Sequence, residues 1–262
     1  MIALAHREFG QAGNPPLVLL HGLLGSSRNW QTVGRDLAAQ FHVRALDLRN
    51  HGASPHADDC GFDAMMDDVL AWLDREGIVR TTLLGHSLGG KVAMLLACRH
   101  PERVDRLLIV DIAPRNYLSQ AHRAEFAAMN ELDLAVLQSR GEAELRFEGR
   151  VPDWSMRKFL TTNLERTGKN GWKWTVNLSA LTDALPELER DSLTETDRFD
   201  GPVHFIVGGN SRYVLPRDEE KIFLHFPRAT VMRLPGVGHN PHMESRELFV
   251  KTVLALAAPK TP

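Results

Sequence analysis

The chain has 262 residues, of which 43% are hydrophobic, and this is enough for one large buried core. Its formal net charge is −2, so the composition does not predict a nucleic-acid partner, which would need a basic excess. The two cysteines exclude a disulfide framework, and no metal-ligand spacing occurs. Without a signal-peptide pattern or a long apolar run, we expect a cytoplasmic monomer or homodimer that does not insert into membranes.

Short apolar runs alternate with helical patterns along most of the chain. This alternation predicts an α/β protein with a mostly parallel central sheet and helices on both faces. The predicted strands are residues 17–20, 42–46, 81–84, 104–110, 203–207 and 230–234. The predicted helices are residues 26–40, 62–75, 88–99, about 217–226, and a last one from about residue 243.

The alternation stops between residues 114 and 197, where the patterns are helical and no strand is predicted. A segment of this length is too long for a loop, so we expect a helical cap inserted into a core formed by residues 1–113 and 198–262. Four aromatic residues of the cap could line an apolar substrate pocket, or they could form the cap's own small core: Trp154, Phe159, Trp172 and Trp174.

The strongest motif follows the predicted strand 81–84, where the sequence reads GHSLGG and a helix begins. In this setting G-x-S-x-G is typical of a nucleophile elbow, a tight turn that points the Ser87 hydroxyl out of the sheet. Gly85 and Gly89 leave room for strand and helix to approach closely. The N–H of Leu88, at the start of the helix, can face a developing oxyanion.

Two further segments complete a catalytic arrangement. The first strand ends in HGLLG, and this turn predicts the N–H of Leu23 as a second oxyanion donor, with His21 in a structural role. Near the C-terminus the run GVGHN presents His239 as the general base that a serine nucleophile requires. His242, three residues further on, is the competing candidate.

In hydrolases with this motif the acid commonly follows the strand that returns from the cap. Here that strand, residues 203–207, continues as GGNSRY and has no carboxylate at this place. Asp111 stands one strand earlier, just past the end of the run 104–110, at the sheet edge where catalytic groups gather. A carboxylate between Val110 and Ile112 needs a partner, and His239 could provide one. The alternative is that Asp111 caps the next turn. Ser211 stands where the acid commonly stands, after the strand 203–207, and it could join the same hydrogen-bond network.

Together these segments resemble the small α/β-hydrolase esterases of the YbfF type and the related mitochondrial abhydrolase-domain proteins. The resemblance is carried by the runs HGLLGS, DLRNHGAS, GHSLGGK, VDIAP and GGNS, and it extends over most of the chain. It implies an α/β-hydrolase fold, esterase or thioesterase action on acyl esters and acyl-CoA, and an acid at Asp111 with Ser211 in its network. We interpret DLRNHGAS, residues 47–54, as a structured loop held by Asp47 and Arg49.

The expected activity is hydrolysis of an acyl ester or thioester by a serine hydrolase that needs neither metal nor organic cofactor. A second hypothesis is C–C bond hydrolysis or a lyase step at the same residues, with Arg115, Arg123 or Arg157 binding an acidic substrate. A third is a receptor that binds a ligand without chemistry, since a fold alone does not fix function.

Overall fold

The computed structural model describes residues 1–117, 121–168 and 171–257. The strands described there are β1 His6–Phe9, β2 Pro16–Leu20, β3 His42–Leu46, β4 Thr81–His86, β5 Val104–Val110, β6 Leu164–Thr167, β7 Gly171–Trp174, β8 Val203–Gly208 and β9 Ala229–Leu234. The α-helices are α1 Gln31–Leu37, α2 Phe62–Arg75, α3 Leu88–Arg99, α4 Ala121–Asn130, α5 Arg140–Phe147, α6 Trp154–Thr161, α7 Leu178–Leu188, α8 Glu219–His225, α9 Pro241–Glu244 and α10 Arg246–Ala257.

Seven of these strands form one sheet with the order β1-β3-β2-β4-β5-β8-β9. The strand β1 runs antiparallel to β3, and the other neighbouring pairs are parallel. This confirms the predicted mostly parallel sheet. Because the carboxyl ends of parallel strands lie at one edge, the loops after β2, β4, β5 and β8 meet there.

Alternating residues of the strands face two separate hydrophobic cores. Leu17 and Leu19 pack in one core with residues of α1 and α10, whereas Val18 and Leu20 pack in the other with residues of α2 and α3. The period of two residues in a strand sends successive side chains to opposite faces, and both faces are covered by helices. The central strands are therefore apolar throughout, which is why their runs are visible in the sequence.

The segment between β5 and β8 contains the helices α4 to α7 and an antiparallel pair, β6 with β7. The expectation of helices alone was wrong at this pair, which consists of two strands of four residues that are largely exposed. The strand β1 was missed for a similar reason, since it is an edge strand with no fully buried residue. The predicted cap, residues 114–197, includes 118–120 and 169–170, which lie outside the described residues, as do 258–262 of the predicted core; the domain boundaries stay a prediction.

Three buried or half-buried polar side chains attach the inserted segment to the sheet. Asn163 Nδ2 donates to Leu24 O over 2.9 Å, beside the turn after β2. Lys91 Nζ, on α3, donates to Leu188 O at the end of α7 over 2.9 Å, and burial lowers the pKa of this ammonium to about 8. Asn177 Nδ2 donates to Asn50 Oδ1 over 3.1 Å. The segment is thereby held next to the edge where the strands β2 and β4 end.

Candidate active site

Ser87 occupies the tight turn between β4 and α3, with φ of 50° and ψ of −115°. Left-handed backbone angles are costly for a residue with a side chain and persist only where the surroundings enforce them. A Cβ on Gly85 would lie 2.2 Å from Gly89 O, and a Cβ on Gly89 would lie 2.6 Å from His21 O. The two glycines therefore do provide the close approach of strand and helix that the sequence predicted.

Two backbone donors lie beside this turn. Among the described residues, the N–H groups of Leu88, at the first position of α3, and of Leu23, in the turn after β2, have no hydrogen-bond acceptor. A Cβ on Gly22 would lie 3.2 Å from Ser87 Cβ, so the turn that carries Leu23 touches the turn that carries the serine. The two N–H groups without an acceptor therefore belong to two turns that meet at Ser87.

Asp111 follows directly after β5, is fully buried, and has a left-handed φ of 50°. Its Oδ2 lies 2.8 Å from Nδ1 of His239, which comes from the loop after β9. Its Oδ1 accepts a hydrogen bond of 2.9 Å from the N–H of Gly208, at the end of β8, and the Ser211 hydroxyl donates to Oδ2. The structure therefore brings together the three residues predicted as acid, base and fourth member of the network.

His242 and His86 occupy different positions from His239. His86 Nε2 lies 2.9 Å from the backbone oxygen of His239 and fixes the loop that carries it. His242 is buried against Trp30, with ring centroids 4.5 Å apart, and burial lowers its pKa to about 3. Its Nδ1 has no hydrogen-bond partner among the described residues. The contact with a carboxylate therefore distinguishes His239 from its competitor.

The loop of residues 47–54 supports the turn after β2. The Asp47 carboxylate accepts hydrogen bonds from the N–H groups of Ser27 and Ala53, over 2.5 and 2.8 Å. His21 Nε2 accepts from the N–H of Leu48, so its Nδ1 carries the proton that is donated to Gly22 O. These contacts confirm the structural interpretation of this loop and of His21.

A cleft of about 690 Å³ opens above Ser87, between the sheet edge and the inserted segment. His239, Leu23 and Tyr213 line it with residues of α4 and α6. A small recess next to Ser87 is lined mainly by apolar residues, among them Leu88 and residues of α7, and also by Lys91, His122 and Glu189. The cleft lining includes three carboxylates, Glu125, Asp153 and Glu244, and within the described part of the chain it includes neither lysine nor arginine.

The three carboxylates have different surroundings. Asp153 Oδ1 accepts from the N–H of Met156 and caps α6, and the Glu244 carboxylate accepts from the N–H groups of Gly238 and Asn240. Glu125 has no such partner among the described residues, and burial raises its pKa to about 7. The cleft therefore carries three acidic side chains, whereas the mainly apolar recess at the serine contains one lysine and one glutamate.

Of the four cap aromatics considered as pocket residues, Phe159 lines the cleft. The three tryptophans do not line it; Trp172 and Trp174 are partly buried against the hydrophobic core, as the second of the two interpretations expected. Trp154 is 60% exposed at the start of α6, with the Lys158 ammonium above its ring. The ring of Trp172 lies against the guanidinium of Arg166, and Trp174 lines a separate groove near Asp47. Trp172 and Trp174 both lie on the four-residue strand β7, and neither lines the cleft that contains Ser87. A helical interpretation of the segment could not predict this.

Sequence reasoning missed Tyr213, whose ring lies flat on the imidazole of His239, with centroids 3.6 Å apart and an interplanar angle of 14°. The only signal in the sequence was an aromatic residue two positions after Ser211.

In the described ranges, no group of three or more His, Cys, Asp or Glu side chains could hold a metal ion. No helix there has the length and apolar character that a membrane crossing requires.

Comparison with known proteins supports the interpretation of the fold. Residues 15–245 match the family model described as the alpha/beta hydrolase fold. The chain is 35% identical to "sn-1-specific diacylglycerol lipase ABHD11" of Mus musculus, over 95% of this chain and 83% of that protein. It is 32% identical to "Esterase YbfF" of Escherichia coli, over 93% of both chains.

Among solved structures, the chain is similar to "Marine microorganism esterase", with a TM-score of 0.94 and 30% identity over 98% of this chain and 100% of that one. It is also similar to the structure of "E-2-(Acetamidomethylene)succinate Hydrolase", with a TM-score of 0.81 over 98% and 95% of the two chains. At 22% identity the second likeness shows the fold alone. The resemblance seen in the sequence is confirmed, and the chain belongs to the α/β-hydrolase family.

Proposed function

We propose that the protein is a serine esterase in which Ser87 is the nucleophile, His239 the general base and Asp111 the acid that orients it. The observation that carries this proposal is the contact of 2.8 Å between His239 Nδ1 and the buried Asp111, in a cleft that also contains Ser87. A buried carboxylate next to Nδ1 fixes the tautomer in which Nε2 is free to accept a proton.

The reaction proceeds in two halves. His239 takes the proton of Ser87 as the hydroxyl attacks the ester carbonyl, and the N–H groups of Leu23 and Leu88 stabilise the tetrahedral oxyanion. The imidazolium then protonates the departing alcohol or thiol, which leaves an acyl-enzyme. Water, deprotonated by the same imidazole, attacks the acyl-enzyme, and collapse of the second tetrahedral intermediate releases the carboxylic acid and restores Ser87.

Ser211 acts as a fourth member of the network. Its hydroxyl donates to Asp111 Oδ2, the oxygen that also accepts from His239. The Gly208 N–H holds the other oxygen, so the carboxylate cannot rotate away from the imidazole. Hydrogen bonds to an ionised carboxylate favour the charged form, which is the form that stabilises an imidazolium.

The charges of the cleft favour esters whose alcohol part is neutral or positively charged. Asp153 and Glu244 face the cleft, Glu125 adds a partial negative charge at neutral pH because burial raises its pKa to about 7, and the described lining of the cleft includes neither lysine nor arginine. An anionic leaving group such as coenzyme A would approach against this field. Neutral thioesters are open to the same chemistry. The name of one relative, a diacylglycerol lipase, refers to a neutral ester and supports this choice.

The competing hypothesis of a C–C hydrolase or lyase needs cations near the serine for an acidic substrate. The three arginines considered for this role are engaged elsewhere. Arg115 lies 3.2 Å from Asp218, Arg123 lies 3.0 Å from Glu189, and Arg157 donates to the Val151 carbonyl. None of the three arginines lines the cleft, and Lys91, which lines the recess at Ser87, donates its ammonium hydrogens to the carbonyls of Leu188 and Arg190. A receptor without chemistry would not need the assembled network of Ser87, His239 and Asp111, so the esterase is favoured over both alternatives.

The test is hydrolysis of p-nitrophenyl esters from acetyl to palmitoyl by the wild type and by Ser87→Ala. We expect Ser87→Ala to lose about 10⁶-fold in kcat. Ser155→Ala is the matched control, because Ser155 lines the same cleft without belonging to the network. A folded wild type that hydrolyses no chain length, or a Ser87→Ala variant as active as the control, would refute the proposal.

A further inference from the structure

The imidazole of His239 has one face covered by the ring of Tyr213, with centroids 3.6 Å apart and an angle of 14° between the planes. Its edge is held by Asp111 through Nδ1, over 2.8 Å. A hydrogen bond at one edge leaves the ring free to rock about that contact. A parallel aromatic surface at van der Waals distance removes this freedom, because rotation of either plane would bring atoms into collision.

Tyr213 is itself held on several sides. Its N–H donates to the Ser211 hydroxyl over 3.1 Å, and that hydroxyl donates to Asp111. Its backbone oxygen accepts from the Tyr117 hydroxyl over 2.7 Å and from the Arg115 guanidinium over 3.2 Å. Tyr213 is therefore linked to Asp111 through the Ser211 hydroxyl, and its ring contacts His239 directly.

The stack continues beyond Tyr213. The ring of Tyr117 packs on that of Tyr213 with centroids 5.5 Å apart and an angle of 26°, and the Arg115 guanidinium lies 3.9 Å from the centre of the Tyr117 ring. Arg115 also pairs with Asp218, which is buried. The result is a column, Arg115-Tyr117-Tyr213-His239, that supports one face of the imidazole.

We propose that Tyr213 is a positioning residue that acts through His239. Its ring keeps Nδ1 directed at Asp111, which leaves Nε2 directed into the cleft toward Ser87. The negative face of the ring also stabilises the imidazolium formed in each half of the reaction. The proposal rests on the esterase function proposed above.

The other titratable groups around the imidazole do not duplicate this effect. Asp111 carries the charge that opposes the imidazolium at its edge. His86, with its ring centroid 4.8 Å away, and the neighbouring His122 and His242 have pKa values lowered by burial, so they stay neutral at pH 7. Glu125 faces the same cleft from α4. The aromatic face is therefore a separate contribution to the charged state of His239.

The experiment compares Tyr213→Leu with Tyr213→Phe, using kcat, KM and the pH profile of kcat/KM on p-nitrophenyl acetate. We expect Tyr213→Leu to lower kcat by roughly tenfold, with KM within about twofold, and to move the acid limb of the profile to lower pH by roughly half a unit. Tyr213→Phe keeps the ring and should remain within about twofold of the wild type. Wild-type kcat and an unmoved limb in Tyr213→Leu would overturn the proposal, as would equal losses in both variants.

A second measurement does not depend on turnover. In the Ser87→Ala background, NMR of the His239 ring should show one sharp set of signals, and adding Tyr213→Leu should broaden them by exchange, whereas adding Tyr213→Phe should not. Equally sharp signals in all three proteins would overturn the proposal, including in a preparation where Tyr213→Leu is too unstable for kinetics. If Ser87→Ala alone retains full activity, the esterase proposal fails instead, and the two failures are distinguishable.

Discussion

Replacing Asp111 by asparagine tests the acid assignment with the smallest change in shape. In the wild type, Oδ2 accepts from two donors, His239 Nδ1 and the Ser211 hydroxyl, while Oδ1 accepts from the Gly208 N–H. An asparagine that keeps the Gly208 contact turns its NH2 group toward the two donors. The imidazole can then accept at Nδ1 only by moving its proton to Nε2, where it cannot take the proton of Ser87. We expect kcat to fall about 10⁴-fold, which corresponds to about 5.5 kcal/mol of transition-state stabilisation.

The assay is p-nitrophenyl acetate hydrolysis, followed with circular dichroism as a check of folding. Asp105→Asn is the matched control, because Asp105 lies on the same strand β5 but is exposed and pairs with Arg80 over 2.8 Å. The control should keep wild-type kcat. A folded Asp111→Asn variant that retains more than about a tenth of wild-type kcat would refute the argument from tautomer and geometry.

Three further predictions concern stability and selectivity. Burial lowers the pKa of His51 and His242 to about 3, so only the unfolded chain takes up these protons as the pH falls below 6.5. For each of these two histidines, the free energy of unfolding should therefore be about 2 kcal/mol lower at pH 5 than at pH 7. Urea titrations that give equal stability at the two pH values would contradict this. Gly208→Ala places a Cβ 2.0 Å from Gly238 O, and we expect a loss of roughly 3 kcal/mol in urea unfolding; an unchanged midpoint would show that the backbone can move aside. Glu125→Lys should raise kcat/KM for acetyl-CoA relative to p-nitrophenyl acetate by roughly tenfold at low salt, more than Glu125→Gln does; a constant ratio in all three proteins would show that the field of the cleft does not select the leaving group.

The nucleophile turn could be predicted from the sequence because its physics is local. The strand, the turn and the helix follow one another, and the glycines around Ser87 report directly on the close approach seen in the structure. The prediction of Asp111 used one step of tertiary reasoning, that a carboxylate in an apolar run needs a partner. That step succeeded because parallel strands end at one edge of the sheet, where the loop of His239 also arrives.

The features that the sequence did not reveal depend on contacts between distant segments. The stack of Tyr213 on His239 joins the loop after β8 to the loop after β9, and no periodicity within either loop encodes it. The strands β6 and β7 have four residues each, too few for alternation to exceed chance. For Trp172 and Trp174 the sequence therefore left two interpretations open, a pocket lining or the cap's own core, because composition does not determine the direction of a side chain.

The proposed acid, Asp111, comes directly after β5, and this position has a consequence for how such a protein can diversify. Ser87 and Asp111 both precede the inserted segment and belong to one continuous βαβ unit, β4-α3-β5, in which the two strands are adjacent. The inserted segment between β5 and β8 therefore does not come between Ser87 and Asp111 in the chain. Under the proposed mechanism, insertions, deletions or exchange of the residues between β5 and β8 can change which alcohols enter the cleft and leave Ser87 and Asp111 in place, provided that the loop after β8 still holds the carboxylate.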